Sequence, residues 1–385
     1  MGGALEGVKV VEIGGLGPAP FCAMMLADHG ADVLRVERPG AERPPGTNTI
    51  AGLAAWDLSS RGRLSAGIDL KHPEGAALVR RLAGEADVFI EGFRPGVAER
   101  LGIGPEPLCA DNQRLVYGRM TGYGQTGPRA RQVGHDINYI SLAGVQAHIG
   151  RAGSPPTPPL NLVGDYGGGG MFLAFGILAA LVERESSGVG QVVEAAMVEG
   201  AALLMAPLFG AASTGYWSDQ RGTNLLDSGA PFYDCYECSD GKFISVGAIE
   251  PAFFAELLAG LGIDPADLGD QNDRSRWPDM RSRFLDVIRS KSQTEWDQIF
   301  AERDACVAPV LTMMEAPHDP HLVATGSFVE IEGVQQPRPT PRFSRSDPGL
   351  PSPAQVAGAN TREVLQQWGL SNDELEQLES VGAVR

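Results

Sequence analysis

Apolar and polar positions follow two different rhythms along this chain. In the first, short apolar runs alternate with stretches of helical spacing. Residues 8–13 (VKVVEI) are rich in β-branched side chains and predict a strand. Residues 14–20 (GGLGPAP) read as a loop, residues 21–29 (FCAMMLADH) as a helix ended by Gly30, and residues 31–37 (ADVLRVE) as a second strand. A β-α-β unit with a glycine-rich first loop is the signature of a doubly wound sheet. The pattern recurs with strands at 68–70, 88–90 and 115–120 and a helix at 73–86. Residues 168–185 form a long apolar helix, 187–190 a turn and 191–194 a short strand. Residues 197–215 are again apolar and rich in small residues, which suits a linker helix or an oligomer element.

The second rhythm starts at residue 231. Residues 231–248 (PFYDCYECSDGKFISVGA) alternate around Ser239-Asp240-Gly241 and predict a hairpin. Residues 251–301 are amphipathic and helical, broken at Gly262 and Pro265. Hairpin and helices together predict a second, smaller α+β domain beside a large Rossmann-like α/β domain. Residues 308–350 are dense in proline and poor in periodicity, as expected of chain running over a surface, and 361–379 read as a polar terminal helix.

A chain of 385 residues, 43% hydrophobic, has ample material for two or three domains. Its formal net charge of -17 argues against nucleic acid as a main partner, because phosphate neutralisation needs clustered Lys and Arg. No apolar run reaches the roughly 18 residues of a membrane span. The first residues, MGGALEGVKVVEIGG, lack a basic stretch followed by an apolar one, and the last six, SVGAVR, are not a peroxisomal address. Five cysteines are too few for a disulfide scaffold. A cytoplasmic protein with reduced thiols is the expectation.

Candidate chemistry concentrates between residues 134 and 170, GHDINYISLAGVQAHIGRAGSPPTPPLNLVGDYGGGG. His135 stands ahead of an apolar run and reads either as a general base or as a histidine capping a helix. Asp165 precedes four glycines and the long apolar helix. It reads as an N-cap, a position where exposed amides also stabilise an anion and where the glycines of residues 167–170 permit close approach of a ligand. Together the two are a candidate acid/base pair. Glu250, between the hairpin and Pro251, is a solvated first-turn acid or a partner that raises the basicity of a histidine. Gly15, Gly17 and Glu37 imitate a dinucleotide fingerprint, but Pro18 and Pro20 stand where it needs a free amide and a third glycine. The Cys235–Cys238 spacing lacks the second ligand pair of a structural zinc site, so no metal is expected. Two arginine clusters remain, Arg35, Arg38 and Arg43, and Arg94 and Arg100, fitted either to purine and phosphate or to an ordinary surface.

Six segments carry a family resemblance: EIGGLGPAPFCAMMLADHGADVLRVERPG, EGFRPGVAERLGIGPEPL, YGRMTGYGQTGP, GHDINYISLAG, NLVGDYGGGGMFLAFGILAAL and VGAIEP. In order, they resemble α-methylacyl-CoA racemases, most closely the bacterial, mycobacterial-type branch, within the larger family III CoA-transferase superfamily. The likeness spans roughly residues 5–350. It implies that His135 and Asp165 flank the α-carbon of a 2-methylacyl-CoA, that Glu250 pairs with His135, and that the helix start at Asp165 holds the thioester oxygen. It implies Arg38 stacked on adenine, with Ile68, Glu91, Arg94, Arg100 and Tyr139 along the rest of the substrate. It implies no cofactor beyond the CoA of the substrate, a place in fatty acid metabolism, and an interlocked homodimer whose sites are shared between chains. The domains are then residues 1–195 with 340–385, a linker helix at 196–230, a small domain at 231–307 and a return linker at 308–339. Met171, Met197 and Met205 are candidates for an acyl-chain wall or for the core. Departures are small: Ala19 and Phe21 in the first loop, and a tail from Asn360 to Arg385 longer than in the bacterial relatives. The rival readings are a CoA-transferase using Asp165 as nucleophile and a catalytically inert CoA-binding or assembly protein.

Overall fold

Six parallel strands form the central sheet: β1 (Lys9–Ile13), β2 (Asp32–Glu37), β3 (Leu64–Gly67), β4 (Val88–Glu91), β5 (Val116–Thr121) and β6 (Val192–Ala196). Their order is β3-β2-β1-β4-β5-β6, the doubly wound arrangement. The structure, a computed structural model, describes residues 2–40 and 57–385. Arg43 lies outside the described residues. The strands read as continuous apolar runs because both sheet faces are covered. Val11, Leu34, Phe89 and Tyr117 face one core, which the helix Pro73–Gly84 and the C-terminal helices complete. Val10, Val33, Val88 and Val116 face the other, closed by the helices Pro18–Asp28 and Met171–Ser187.

The chain divides into two units. Met1–Ala143, Leu160–Leu204 and Pro320–Arg385 make the sheet unit, and Gly144–Pro159 with Met205–Asp319 make the other. In the latter, β7 (Tyr233–Glu237), β8 (Phe243–Gly247) and β9 (Val307–Val310) pair antiparallel. Alternation is strict: Asp234 and Tyr236 are buried, while Tyr233 and Cys235 are exposed. The buried face packs on Phe254, Leu257, Trp277, Phe284 and Trp296. Cys235 is exposed and Cys238 buried, and all five cysteines are free thiols.

Several elements differ from their sequence reading. The strand expected at 68–70 lies at Leu64–Gly67; Ile68 forms one antiparallel bridge to Val384. The helix expected over 197–215 breaks at Met205, ahead of Pro207, into Met197–Leu204 and Ala206–Ser213. The proline-rich run contains a hairpin, Phe328–Ile331 with Val334–Pro337. The terminal helix is two, Thr361–Gln367 and Asn372–Ser380, separated at Gly369, whose φ of 90° no other residue type adopts readily. The C-terminal tail is core rather than appendage, with Val364, Leu365, Leu375 and Val384 at 0–1% exposure. The helix over Leu162–Ser187 is 26 residues long, and by length and composition it is apolar enough to cross a membrane. The expectation of no such run is corrected here: glycines and Asp165 interrupt the apolar residues, yet one helix contains them all. Leu173, Ala174, Ile177 and Ala180 are buried in the sheet unit's core, while Met171, Phe175, Leu178 and Val182 form an exposed apolar stripe.

Candidate active site

The order of the strands reverses between β1 and β4, and there the loops beyond their carboxyl ends part to leave a crevice. Leu16, Pro18 and Ala19 after β1, Gly92 to Pro95 after β4, Gly122 and Tyr123 after β5 and Met197 after β6 line a cavity of about 340 Å3. His135, Arg94 and Tyr139 line the same cavity.

His135 is the N-cap of the helix Asp136–Leu142, and its own amide donates to Asn138 Oδ1 at 3.0 Å. The capping reading of this histidine holds, and its side chain is exposed at the cavity, where a general base would need to stand. Two residues secure its surroundings: Asp136, which the sequence reading passed over, and Tyr139, which it placed along the substrate. Asp136, 4% exposed, accepts the amides of Gly164 (2.6 Å) and Asp165 (2.7 Å) on Oδ2. Tyr139 donates to Gly134 O, and its ring meets Tyr123 edge-on with centroids 4.9 Å apart.

Asp165 is not the cap of the long helix. The helix starts earlier, as a π-helical segment Leu162–Gly170 capped by Asn161, and Asp165 lies inside it. Such segments recur at functional sites because their wider turn re-aims side chains. Asn161 Nδ2 donates to Asp165 Oδ2 at 3.0 Å. Because Asp136 occupies the amides of Gly164 and Asp165, these do not face a thioester oxygen as expected. The glycines serve packing, not ligand approach: a Cβ on Gly168 would stand 2.6 Å from Ala201 N, and one on Gly170 2.8 Å from Pro18 O. Gly17, with φ 75°, sets Pro18 as the first helical residue and brings its backbone to Asp165; a Cβ there would lie 3.5 Å from Oδ2.

Burial raises the Asp165 carboxyl above the usual aspartate range; the Asn161 hydrogen bond opposes this, Asp136 adds to it and His135 opposes it. The two proposed bases thus sense each other's charge. Tyr139 is raised by burial and by the charges of Tyr123 and Asp165, and lowered by Arg94, which ties all three to one locality. A stability prediction follows. The native state holds the Asp165 proton more tightly than the unfolded chain, so the ionised form weakens the fold as pH rises above 3.8. Asp165→Asn should raise Tm at neutral pH by about 2 °C, a small effect because the group is half-exposed. The gain should vanish below the unfolded pKa of 3.8, which melting curves across pH will check.

The other expected contacts fall in different places. Arg38 is exposed one residue beyond β2, at the same edge of the sheet as the cavity, and Arg100 is exposed at the end of the helix Val97–Arg100. Two expectations are corrected. Ile68, 1% exposed, is a core residue, and Glu91, also 1% exposed, turns inward to Arg119 (3.4 Å) and to the amide of Phe93 (2.6 Å). Neither side chain faces a ligand. Arg35 is likewise buried, beside Glu37 (3.4 Å), Asp57 (3.6 Å) and Ser60, and offers nothing to a phosphate. Glu250 belongs to the other unit, where it caps the helix Pro251–Leu261, is exposed, and helps raise the Cys306 thiol after burial.

Comparison with known proteins agrees with this geometry. The α-methylacyl-CoA racemase of Mus musculus is 47% identical over 379 residues, 98% of this chain and 96% of that protein. The racemase of Homo sapiens is 46% identical over 382 residues, with 98% and 96% coverage. A CAIB/BAIF family protein from Brucella suis superimposes with a TM-score of 0.82 at 26% identity, covering 96% of this chain and all of that one. Residues 5–361 match the CoA-transferase family III pattern, and the chain belongs to CoA-transferase family III.

Proposed function

We propose that this protein interconverts (R)- and (S)-2-methylacyl-CoA thioesters by 1,1-proton transfer. The observation that carries the reading is His135 on the cavity at the switch point of the sheet, with Asp165, which does not itself line that cavity, near enough to feel its charge and set against Gly17 of the cavity's first loop. One group removes the α-proton, a thioester enolate forms, and the other returns a proton to the opposite face. The chemistry needs one base protonated while the other is free, and burial of Asp165 brings its titration nearer to that of an imidazole. Arg94 suits an anionic part of the CoA moiety. The racemase resemblance of the whole chain supports the same substrate class, as do the two mammalian relatives.

On this reading the reaction needs no metal, flavin or nicotinamide, and the enzyme acts in the cytoplasm on branched acyl chains. Five free thiols suit a reducing compartment. A homodimer is part of the proposal. The exposed stripe of Met171, Phe175, Leu178 and Val182 supports a covered face there. The partner subunit's Glu250 would then pair with His135.

A family III CoA-transferase would instead use Asp165 as nucleophile and has no need of the histidine. Incubation of a single epimer in deuterated water, with a chelator and without an acceptor acid, separates the two. Deuterium should enter at the α-carbon and both epimers should accumulate, as read by mass spectrometry and chiral analysis. No exchange, with CoA transfer once a carboxylic acid is added, moves the assignment to the transferase.

A further inference from the structure

The chain leaves β4 at Glu91, lines the cavity with Gly92, Phe93, Arg94 and Pro95, turns at Gly96 (φ 85°) and enters the helix Val97–Arg100. Both ends of this excursion meet one side chain. Arg119 of β5, with its side chain 8% exposed, binds Glu99 Oε1 through Nη2 at 2.8 Å and faces Glu91 Oε1 with Nε at 3.4 Å. The more exposed Glu194 lies 3.9 Å from Nη1. Glu91 uses its other oxygen to accept the amide of Phe93 at 2.6 Å. Arg119 Nε and Glu91 Oε1 are buried and have no hydrogen-bond partner among the described residues, so their ion pair at 3.4 Å is what each of these atoms has to answer its burial. A buried charge left without that partner is costly, which makes the pair hard to separate.

We propose that Arg119 is a positioning residue for the acyl-CoA site: its guanidinium clamps both ends of residues 91–99 to the sheet and so fixes Arg94 at the cavity. The proposal deepens the function above, since acyl-CoA is the ligand assumed for Arg94. Arginine suits the task because its planar fork engages two carboxylates from different directions, which a lysine ammonium does less well.

The clamp also titrates. Burial pushes the Glu91 carboxyl up to about 7, against the pull of the Phe93 amide and Arg119. The charged groups around it are Arg119 on β5 and Glu99 on the short helix, with the Tyr117 phenol of β5 close by. An ionised Glu91 holds both the amide and the guanidinium more strongly than a protonated one. As pH rises through about 7 the segment should tighten and KM for acyl-CoA should fall; below it KM should rise.

The test is exchange kinetics on the full-length enzyme with one 2-methylacyl-CoA, from about pH 6 to about pH 8.5. Arg119→Lys should raise KM about tenfold while kcat stays within about twofold, the split expected of a binding element remote from the chemistry. Glu91→Gln should flatten the pH dependence of KM; the substrate's own titration is common to it and wild type, so the difference isolates Glu91. If Arg119→Lys fails to fold, Glu99→Gln releases one grip only and should raise KM about threefold. An Arg119→Lys enzyme with unchanged KM and reduced kcat, or a Glu91→Gln profile that follows wild type, would overturn the proposal. Wild type without α-proton exchange would instead count against the racemase reading. The same variants titrated calorimetrically with acyl-CoA would still report on the clamp, with the loss appearing in Kd.

Discussion

His135→Ala should epimerise 2-methylacyl-CoA far more slowly yet continue to exchange the α-proton of one epimer. Two bases on opposite faces each address one epimer. With the histidine gone, Asp165 still removes the proton on its own side and returns a deuteron to the same side, so label enters without inversion. Inversion itself should fall by roughly two to four orders of magnitude, the usual loss when a positioned acid or base is deleted. Asp165→Asn should behave as the mirror image, with exchange confined to the other epimer and inversion lost to a similar degree. Loss of both exchanges in either variant alone would remove the two-base arrangement. The transferase alternative gives another signature. There, Asp165→Asn abolishes every reaction because no anhydride forms, while His135→Ala leaves transfer close to wild type.

The parts of this molecule that were legible in sequence are those whose physics is local. Residues 8–13 and 31–37 announce parallel strands because a sheet covered on both faces turns its strands into continuous apolar runs. His135 was legible as a cap and as a candidate base because both depend on its position before a helix. What was hidden depends on neighbours distant in the chain. Arg35 and Arg38 look alike as a basic cluster, but Arg35 lies inside β2, covered on both faces beside Glu12 and Glu37, while Arg38 stands one residue past the strand's end in solvent. Glu91 looks like a strand-end acid facing a ligand until β5 brings Arg119 beside it, a pairing 28 positions away that no spacing rule contains. Gly17 failed as part of a dinucleotide fingerprint because prolines follow it. Its positive φ and its closeness to Asp165 give it another use. Asp165 itself reads as a helix start because aspartate favours the N-cap and the apolar helix is expected only from residue 168. The glycines of residues 167–170 instead let the π-helical segment press against neighbouring helices, which extends the helix back past Asp165 and leaves Asp136 to occupy its amide.

Mixing two inactive variants should restore about half of wild-type epimerisation. His135 and Asp165 lie in the sheet unit and Glu250 in the other, and the proposed dimer pairs His135 with the partner subunit's Glu250. His135→Ala and Glu250→Ala should each be far less active when homogeneous, since every site then lacks one member of the pair. Co-expression with different tags and tandem purification yields the mixed dimer. If the pair forms between subunits, one site collects both defects and the other joins an intact histidine to an intact glutamate. With independent sites the activity per dimer is then about half that of wild type. If the pair forms within one subunit, each site keeps one defect and the mixed dimer is no better than its parents. That outcome would end the shared-site proposal while leaving the chemistry of His135 and Asp165 intact. A mixed dimer of His135→Ala with Asp165→Ala is the control. Both residues belong to one unit of one chain, so each of its sites retains a defect and no activity should return.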